Sequence, residues 1–450
     1  MTINTKNKSK SKNDIPINGK EFEFSVEEVN LNIHSKYIKN YRENAYNIYQ
    51  TTPIPDNNDE AWRRTSLRKF NPQIFSLPQT HKDTNENDLP KGIVSLFNSD
   101  QTKSQIIINS WGTQIHQQNQ ESKNGVIFTS LEDALENRPN IVENILGKNV
   151  KAEDGKFAAL TGAFARNGLL LYIPEGYAAD EPFQSIGWAQ DDGTAHLDHI
   201  LVYLADGAEA TYIHQAYSSE TENGELLHSG IVEIYVGKNA KLHFVEIQSW
   251  GKNVWNFTHE NVRVDQNGEI DWIVCSLGSL LTKSFYDINL FGEGAVGRLY
   301  GLSLLDDHQH LDHDTQQNHL APHTTSDLLF KGVMLNESYS VWQGMIYVAE
   351  NAKKADGYQA NRNLILSNDA RADSIPGLEI LNDDVRCTHG ATIGRIDPEQ
   401  IFYLCSRGIS NVQAKRLIVE GFLTQIIERI PSGDLHNYLY KQIRNKIIIQ

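Results

Sequence analysis

The sequence predicts a mainly β protein in which a solenoid of stacked coils, residues 166–396, lies between a mixed, partly helical region at 1–165 and a helical domain at 397–450. Three observations lead there. Short runs rich in Val, Ile, Leu and Tyr are closed by a recurring Gly/Asn/Asp turn followed by a small residue. The instances are Asp206-Gly207-Ala208, Gly237-Lys238-Asn239-Ala240, Gln266-Asn267-Gly268, Gly292-Glu293-Gly294-Ala295, Glu350-Asn351-Ala352 and Asn368-Asp369-Ala370. The first four recur about every thirty residues, as expected when one unit stacks on the next. A β-sandwich, the plainer competitor, turns about every 8 to 12 residues and needs no long period. Beyond Asp397 the alternation stops, and Val419, Phe422, Leu423, Ile426, Ile427 and Ile430 recur at steps of three and four, one apolar helix face.

From the N-terminus, residues 1 to about 30 carry Lys and Asn without an apolar core and read as a disordered leader, not a secretory signal. Helical periodicity covers Ser35 to Tyr49. The polar stretches Thr51 to Asn58 and His81 to Pro90 read as loops around the tryptophan segment Glu60 to Ser66. A strand is expected at Ile106 to Ser110 and a helix at Leu131 to Leu146. In the C-terminal region, Pro431-Ser432-Gly433-Asp434 breaks the chain, and Asp434 is placed to cap a last helix reaching about Lys446.

Composition narrows the function. A hydrophobic share of 39% over 450 residues describes a folded chain with room for two or three domains, or one elongated domain with additions at its ends. The formal net charge of -16 speaks against nucleic acid, because phosphate recognition needs a basic footprint and the one basic cluster is Lys6 to Lys12. No segment approaches the length of a membrane span. Three cysteines far apart in sequence, Cys275, Cys387 and Cys405, point to a reducing compartment. The cytoplasm is the expected location, with a plastid or other organelle stroma left open. Cys275 and Cys405 sit in apolar runs and read as packing residues.

The stretch Asp384 to Gly394 carries the chemistry. It reads as a strand running into a glycine turn, so Cys387 and His389 fall on one face with Cα atoms roughly 7 Å apart, while Arg386 and Thr388 point the other way. Thiolate and imidazole select soft metals or an iron-sulfur fragment, and the remaining ligands must come from elsewhere. The histidine run His308, His310, His313, His319 and His323, interleaved with Asp306, Asp307, Asp312 and Asp314, has metal-ligating residue types. Pro322 prevents a helix from aligning His319 with His323, and a structural use is the better reading. The Gly-Lys pairs lack the upstream glycine of a phosphate-binding loop, and neither Gly-x-Ser-x-Gly nor His-Glu-x-x-His occurs. An enzyme is not expected.

Several segments together are specific. These are Asp312-His313-Asp314-Thr315, Asn318-His319 to Pro322-His323, Ser326 to Gly332, Lys354 to Gln359, Pro376 to Ile380, Cys387 to Gly394 and Trp62-Arg63-Arg64-Thr65. Over most of its length the chain resembles the SufB/SufD family of iron-sulfur cluster assembly proteins. The resemblance implies a right-handed parallel β-helix that pairs with a SufB-like subunit through its C-terminal strands. It implies that the C-terminal helices bind a SufC-like ATPase, for which the face Val419, Phe422, Ile426 and Ile430 is the candidate. A transient iron-sulfur cluster would then form at the subunit interface, with His389 and Cys387 as the candidate site. Cys-Thr-His-Gly-Ala at 387–391, where SufB-like chains carry Cys-Glu-His-Glu-Ala, favours the SufD branch. The alternatives are a SufB-like scaffold holding the cluster itself, a homodimer without SufB, and a β-helix carbohydrate-active enzyme.

Overall fold

The computed structural model describes residues 21–29, 35–78, 104–117, 124–219 and 224–448. The basic stretch Lys6 to Lys12 and the loop at His81 to Pro90 lie outside them. From Asn167 to Arg395 successive strands alternate between two sheets, so that each pairs in parallel with the strand two places away. Val254–Val264, for example, runs in register between Leu226–Val236 and Leu281–Leu290. The result is a parallel solenoid of about eight turns. Among the described residues one sheet has ten strands and the other nine. A sandwich is excluded, since consecutive strands of a sandwich pair antiparallel within a sheet.

The thirty-residue turn signal is a stack of left-handed backbone positions. Gly207, Asn239, Asn267, Gly294, His323 and Lys354 have φ of 70, 54, 52, 71, 59 and 60°. Each turn bonds to the next coil: the amide of Asn239 donates to Gln266 O (2.9 Å), Asn267 to Glu293 O (3.0 Å), Gly294 to Pro322 O (3.1 Å) and His323 to Lys353 O (2.8 Å). Gly and Asn tolerate this conformation best, so they recur there.

Three layers of apolar side chains hold the structure together. The solenoid interior packs Val202, Val262 and Ile288 of the nine-stranded sheet against Leu242, Phe244 and Trp272 of the ten-stranded sheet. The outer face of the nine-stranded sheet is covered by the N-terminal region, where Phe157 stacks on Phe257 at 3.8 Å between centroids, with Trp62 and Phe70 beside them. The outer face of the ten-stranded sheet is covered by the C-terminal helices.

The structure changes the expected N-terminal elements in four ways. Residues 21–29 are not part of a disordered leader, because Phe22, Phe24 and Val29 are buried in the N-terminal core. The helix expected over Leu131 to Leu146 stops at Asn137, since Pro139 has no amide to continue it, and a short helix Pro139–Val142 follows. A helix at Lys156–Phe164, with every residue buried, gave no amphipathic pattern to read. Strands Ser104–Asn109, Gly112–Gln117 and Ile127–Ser130 extend the two sheets before residue 166, so the coils begin inside the N-terminal region.

Where this region meets the nine-stranded sheet, charges are buried. Lys283 Nζ, fully buried, lies 3.0 Å from Asp312 Oδ2 and 2.6 Å from Asp314 Oδ2. Thr65 of the tryptophan segment donates to Asp312 Oδ2 and lies 2.8 Å from His310 Nε2. Nearby, burial pushes the Asp287 carboxyl up to about 7, and the Asp154 and Asp314 carboxylates that face it push the same way. A carboxyl raised in the fold gives stability that is full below its unfolded value and is lost as pH rises through the folded value. Stability is therefore expected to fall between about pH 4 and 7, with about 4 kcal/mol as the upper bound from this one group. Urea unfolding across that range checks it: Asp287→Asn should flatten the slope, and an unchanged slope would place its source elsewhere.

Candidate functional site

Both sheets end without a cap. Arg386–Arg395 pairs only with Asp356–Ile365, and Arg371–Ile380 only with Tyr339–Val348, so each leaves one strand edge free among the described residues. Leu378, Ile380, Leu381 and Ile393 are exposed there. Exposed strand edges with apolar side chains invite pairing with another chain.

Cys387 and His389 lie on the first of these terminal strands. Cys387 is in register with Gly357 and His389 with Gln359, whose side chain is fully buried. The strand runs unbroken through Gly390 and Gly394, so the glycine turn expected after His389 is not formed. With no turn, both residues keep one face of the final rung. His389 is exposed and Cys387 half-buried. A Cβ on Gly357 would come within 3.1 Å of His319 Nε2 and 3.3 Å of Cys387 Sγ, so the bare glycine gives the thiol its place. Partial burial pushes the Cys387 thiol up from its ordinary value, with the Asp356 carboxylate acting the same way against a backbone hydrogen bond from Gly357. Cys387 is thus a protonated thiol until a metal or base takes its proton.

The histidine run is absorbed by the fold. His310 bonds Thr65, His313 Nε2 lies 3.1 Å from Ser276 Oγ, and His319 lies 2.8 Å from both Thr324 Oγ1 and Ser326 Oγ. His323 takes a left-handed turn position and His308 pairs with Glu337 at the surface. Burial lowers His310, His313 and His319 to about 4, 3 and 4, which keeps them neutral.

The apolar face of the C-terminal helices is already occupied. Val419, Ile426 and Ile430 are buried, with Leu423 and Ile427, against Ile273, Leu302 and Leu329 of the ten-stranded sheet. Lys331 Nζ donates to Phe422 O at 2.7 Å and lies 5.0 Å from the centre of its ring. Of the four expected partner-binding side chains, Val419, Ile426 and Ile430 are thus spent on covering the chain's own sheet, and Phe422 is partly buried beside them. The side chains left outside are Phe402 (74% exposed), Tyr403, Val412 and Leu417. The last helix, Gly433–Ile448, is capped by Ser432, whose Oγ accepts from Leu435 N, and Asp434 sits inside its first turn. Its Lys446 donates to Leu277 O, Leu304 O and Gln309 Oε1 and pairs with Asp306.

Sequence reading missed a polar group inside the solenoid, where His196, Asp198 and His228 converge. Its signal was the coil period: residues 198, 228 and 256 lie about one coil apart and share the inward face.

Comparison with known proteins bears on the whole chain. Residues 187–422 match the model described as "SUF system FeS cluster assembly, SufBD core domain", and residues 24–185 match "SufBD protein N-terminal region". An iron-sulfur cluster assembly SufBD family protein of Staphylococcus epidermidis (strain ATCC 12228 / FDA PCI 1200) is 27% identical over 411 residues, covering 88% of this chain and 86% of its own. One from Staphylococcus aureus (strain MRSA252) is 31% identical over 307 residues, 68% of this chain and 66% of its own. No helix among the described residues is long and apolar enough to cross a membrane. With the core-domain match covering more than half of a two-sheet parallel solenoid, the chain belongs to the SufBD family of iron-sulfur cluster assembly proteins.

Proposed function

We propose that this chain is the SufD-type scaffold subunit of an assembly complex, pairing its open coil end with the corresponding end of a SufB-type subunit so that a nascent cluster forms between them. The unsealed terminal rung carrying Cys387 and His389 is the observation that supports this. Two soft ligands cannot complete an iron-sulfur site, and among the described residues no further His, Cys, Asp or Glu joins them in a ligand group. Cys275, the one fully buried cysteine, lies beneath the C-terminal helices. The missing ligands would therefore come from the partner, and the cluster is cargo, not a resident cofactor. For the ATPase partner, the surface around Phe402, Tyr403, Val412 and Leu417 replaces the buried face, since exposed aromatic side chains make strong interface anchors.

Coexpression with a SufB-type subunit and a SufC-type ATPase tests both surfaces at once. Ile393→Lys should release the SufB-type subunit and retain the ATPase. Phe402→Ser with Leu417→Ser should do the reverse, and neither should lower the melting temperature. If Ile393→Lys copurifies with both partners as the wild type does, the coil end is not the interface. A stable cluster-bearing assembly of this chain alone would instead favour a SufB-like scaffold.

A further inference from the structure

The polar group inside the solenoid has the composition and geometry of a metal site separate from the coil end. His196 and Asp198 are on strand Ala195–Leu204 and His228 is on the adjacent Leu226–Val236, all facing inward and all buried. His196 Nε2 lies 3.5 Å from Asp198 Oδ2, and His228 Nε2 lies 3.2 Å from Asp198 Oδ1. The three ligand atoms fall within 4.8 Å of one another. Donors held about 2.1 Å from one ion sit roughly 3 to 3.5 Å apart, and each imidazole already lies that far from one of the two Asp198 oxygens.

The outer nitrogens are fixed as metal-binding imidazoles require. His228 Nδ1 lies 2.5 Å from Asn256 Oδ1, and Asn256 Nδ2 donates to Thr282, which marks that oxygen as an acceptor and His228 Nδ1 as a donor. His196 Nδ1 lies 3.3 Å from Ser110 Oγ. Each ring is thereby oriented with Nε2 toward the carboxylate, the outer-shell arrangement that fixes a ligating histidine. His196 Nε2 is fully buried and has no hydrogen-bond partner. An ion in that place would be held by the Nε2 lone pairs of both rings. Gly230, in register with Asp198, keeps the space open: a Cβ there would lie 2.8 Å from Asp198 Oδ1 and 2.9 Å from His228 Cε1.

We propose that His196, Asp198 and His228 bind one divalent first-row transition ion inside the solenoid, taken up as the coils close and clamping two successive coils together. Two imidazoles and a carboxylate suit zinc or ferrous iron. This site needs no partner chain and does not depend on the SufD reading.

The full chain should be produced in medium supplemented with zinc, iron or cobalt, and its metal content measured after passage over a chelating resin. About one equivalent per chain is expected, falling at least tenfold in His196→Asn and His228→Gln and unchanged in the surface variant His308→Ala. X-ray absorption at the metal edge of the wild type should show two imidazole nitrogens and carboxylate oxygen at about 2.0–2.2 Å. This readout does not depend on the variants folding. Less than about a tenth of an equivalent with every metal, or a first shell containing sulfur, would overturn the site. Metal retained at wild-type level in both His variants would do the same, leaving His196, Asp198 and His228 as a hydrogen-bonded core group.

Discussion

Replacing His389 with alanine is expected to abolish cluster assembly while the chain melts as the wild type does. The imidazole is exposed, and no hydrogen bond or ion pair joins it to a described residue, so its removal should change stability by no more than about 0.5 kcal/mol. A histidine serving its own fold would strand a buried partner and cost about 1–3 kcal/mol. Among the described residues no such partner exists at the coil end, and a Cβ placed on Gly390 beside it would meet nothing within 4 Å. Loss of a residue that merely orients a metal ligand costs about 10- to 100-fold, and loss of a ligand itself should lower assembly by more than that. Cys387→Ala should act more mildly on assembly, if a partner supplies the principal thiolate, and more strongly on stability, because Cys387 packs on the cluster of Ile346, Val348 and Ala352. Thermal unfolding, partner copurification and in vivo cluster formation are to be read together. Normal assembly in His389→Ala would sink the site, and a lowered melting temperature would return the residue to the fold.

The largest effect on stability is expected from Lys283→Ala. Its buried ammonium lies between the buried Asp312 and the partly buried Asp314, within 5.0 Å of the Phe285 ring centre and 5.9 Å of that of Trp62. Removing one member of a buried ion group leaves the others uncompensated, which costs about 3–5 kcal/mol. The loss should also loosen the tryptophan segment, because Thr65 reaches the solenoid through Asp312. Urea unfolding should show a lower midpoint. Lys283→Met combined with Asp312→Asn and Asp314→Asn should recover most of it, since the charges are then gone together. A loss below about 1 kcal/mol in Lys283→Ala would mean that water or backbone relaxation solvates the two carboxylates.

How much of this was legible in the sequence depends on the range of the interactions. The stacked turns announce themselves because a left-handed residue must be Gly, Asn or a tolerated substitute, whatever lies around it. Cys387 and His389 were placed on one face by the period of a strand alone. The glycine turn after them was wrong because Gly390 is held extended by pairing with Ala360, a contact thirty residues away in sequence. The helix Asn411–Ile427 was found by its periodicity, but periodicity shows only that a face is buried and not what buries it. His196, Asp198 and His228 were missed for a related reason: coils bring together residues one repeat apart, and no local pattern marks which inward positions are polar. The histidine run drew attention by density in sequence, yet its members divide between the interior, the N-terminal interface, a turn and the surface.

The C-terminal helices return along the ten-stranded sheet as far as the early coils, where Tyr438 meets Ser249 and Tyr217. The cover for Ile247, Ile273 and Leu302 therefore leaves the ribosome only after the coils it seals. Throughout synthesis that sheet grows with a bare apolar outer face, and the docking that seals it joins residues 189 apart in sequence. Such distant closure is slow and leaves the intermediate open to aggregation. For this protein the helices Asn411–Ile427 and Gly433–Ile448 act as a release step: a nascent chain truncated before them carries its coils but no protection for one side of them.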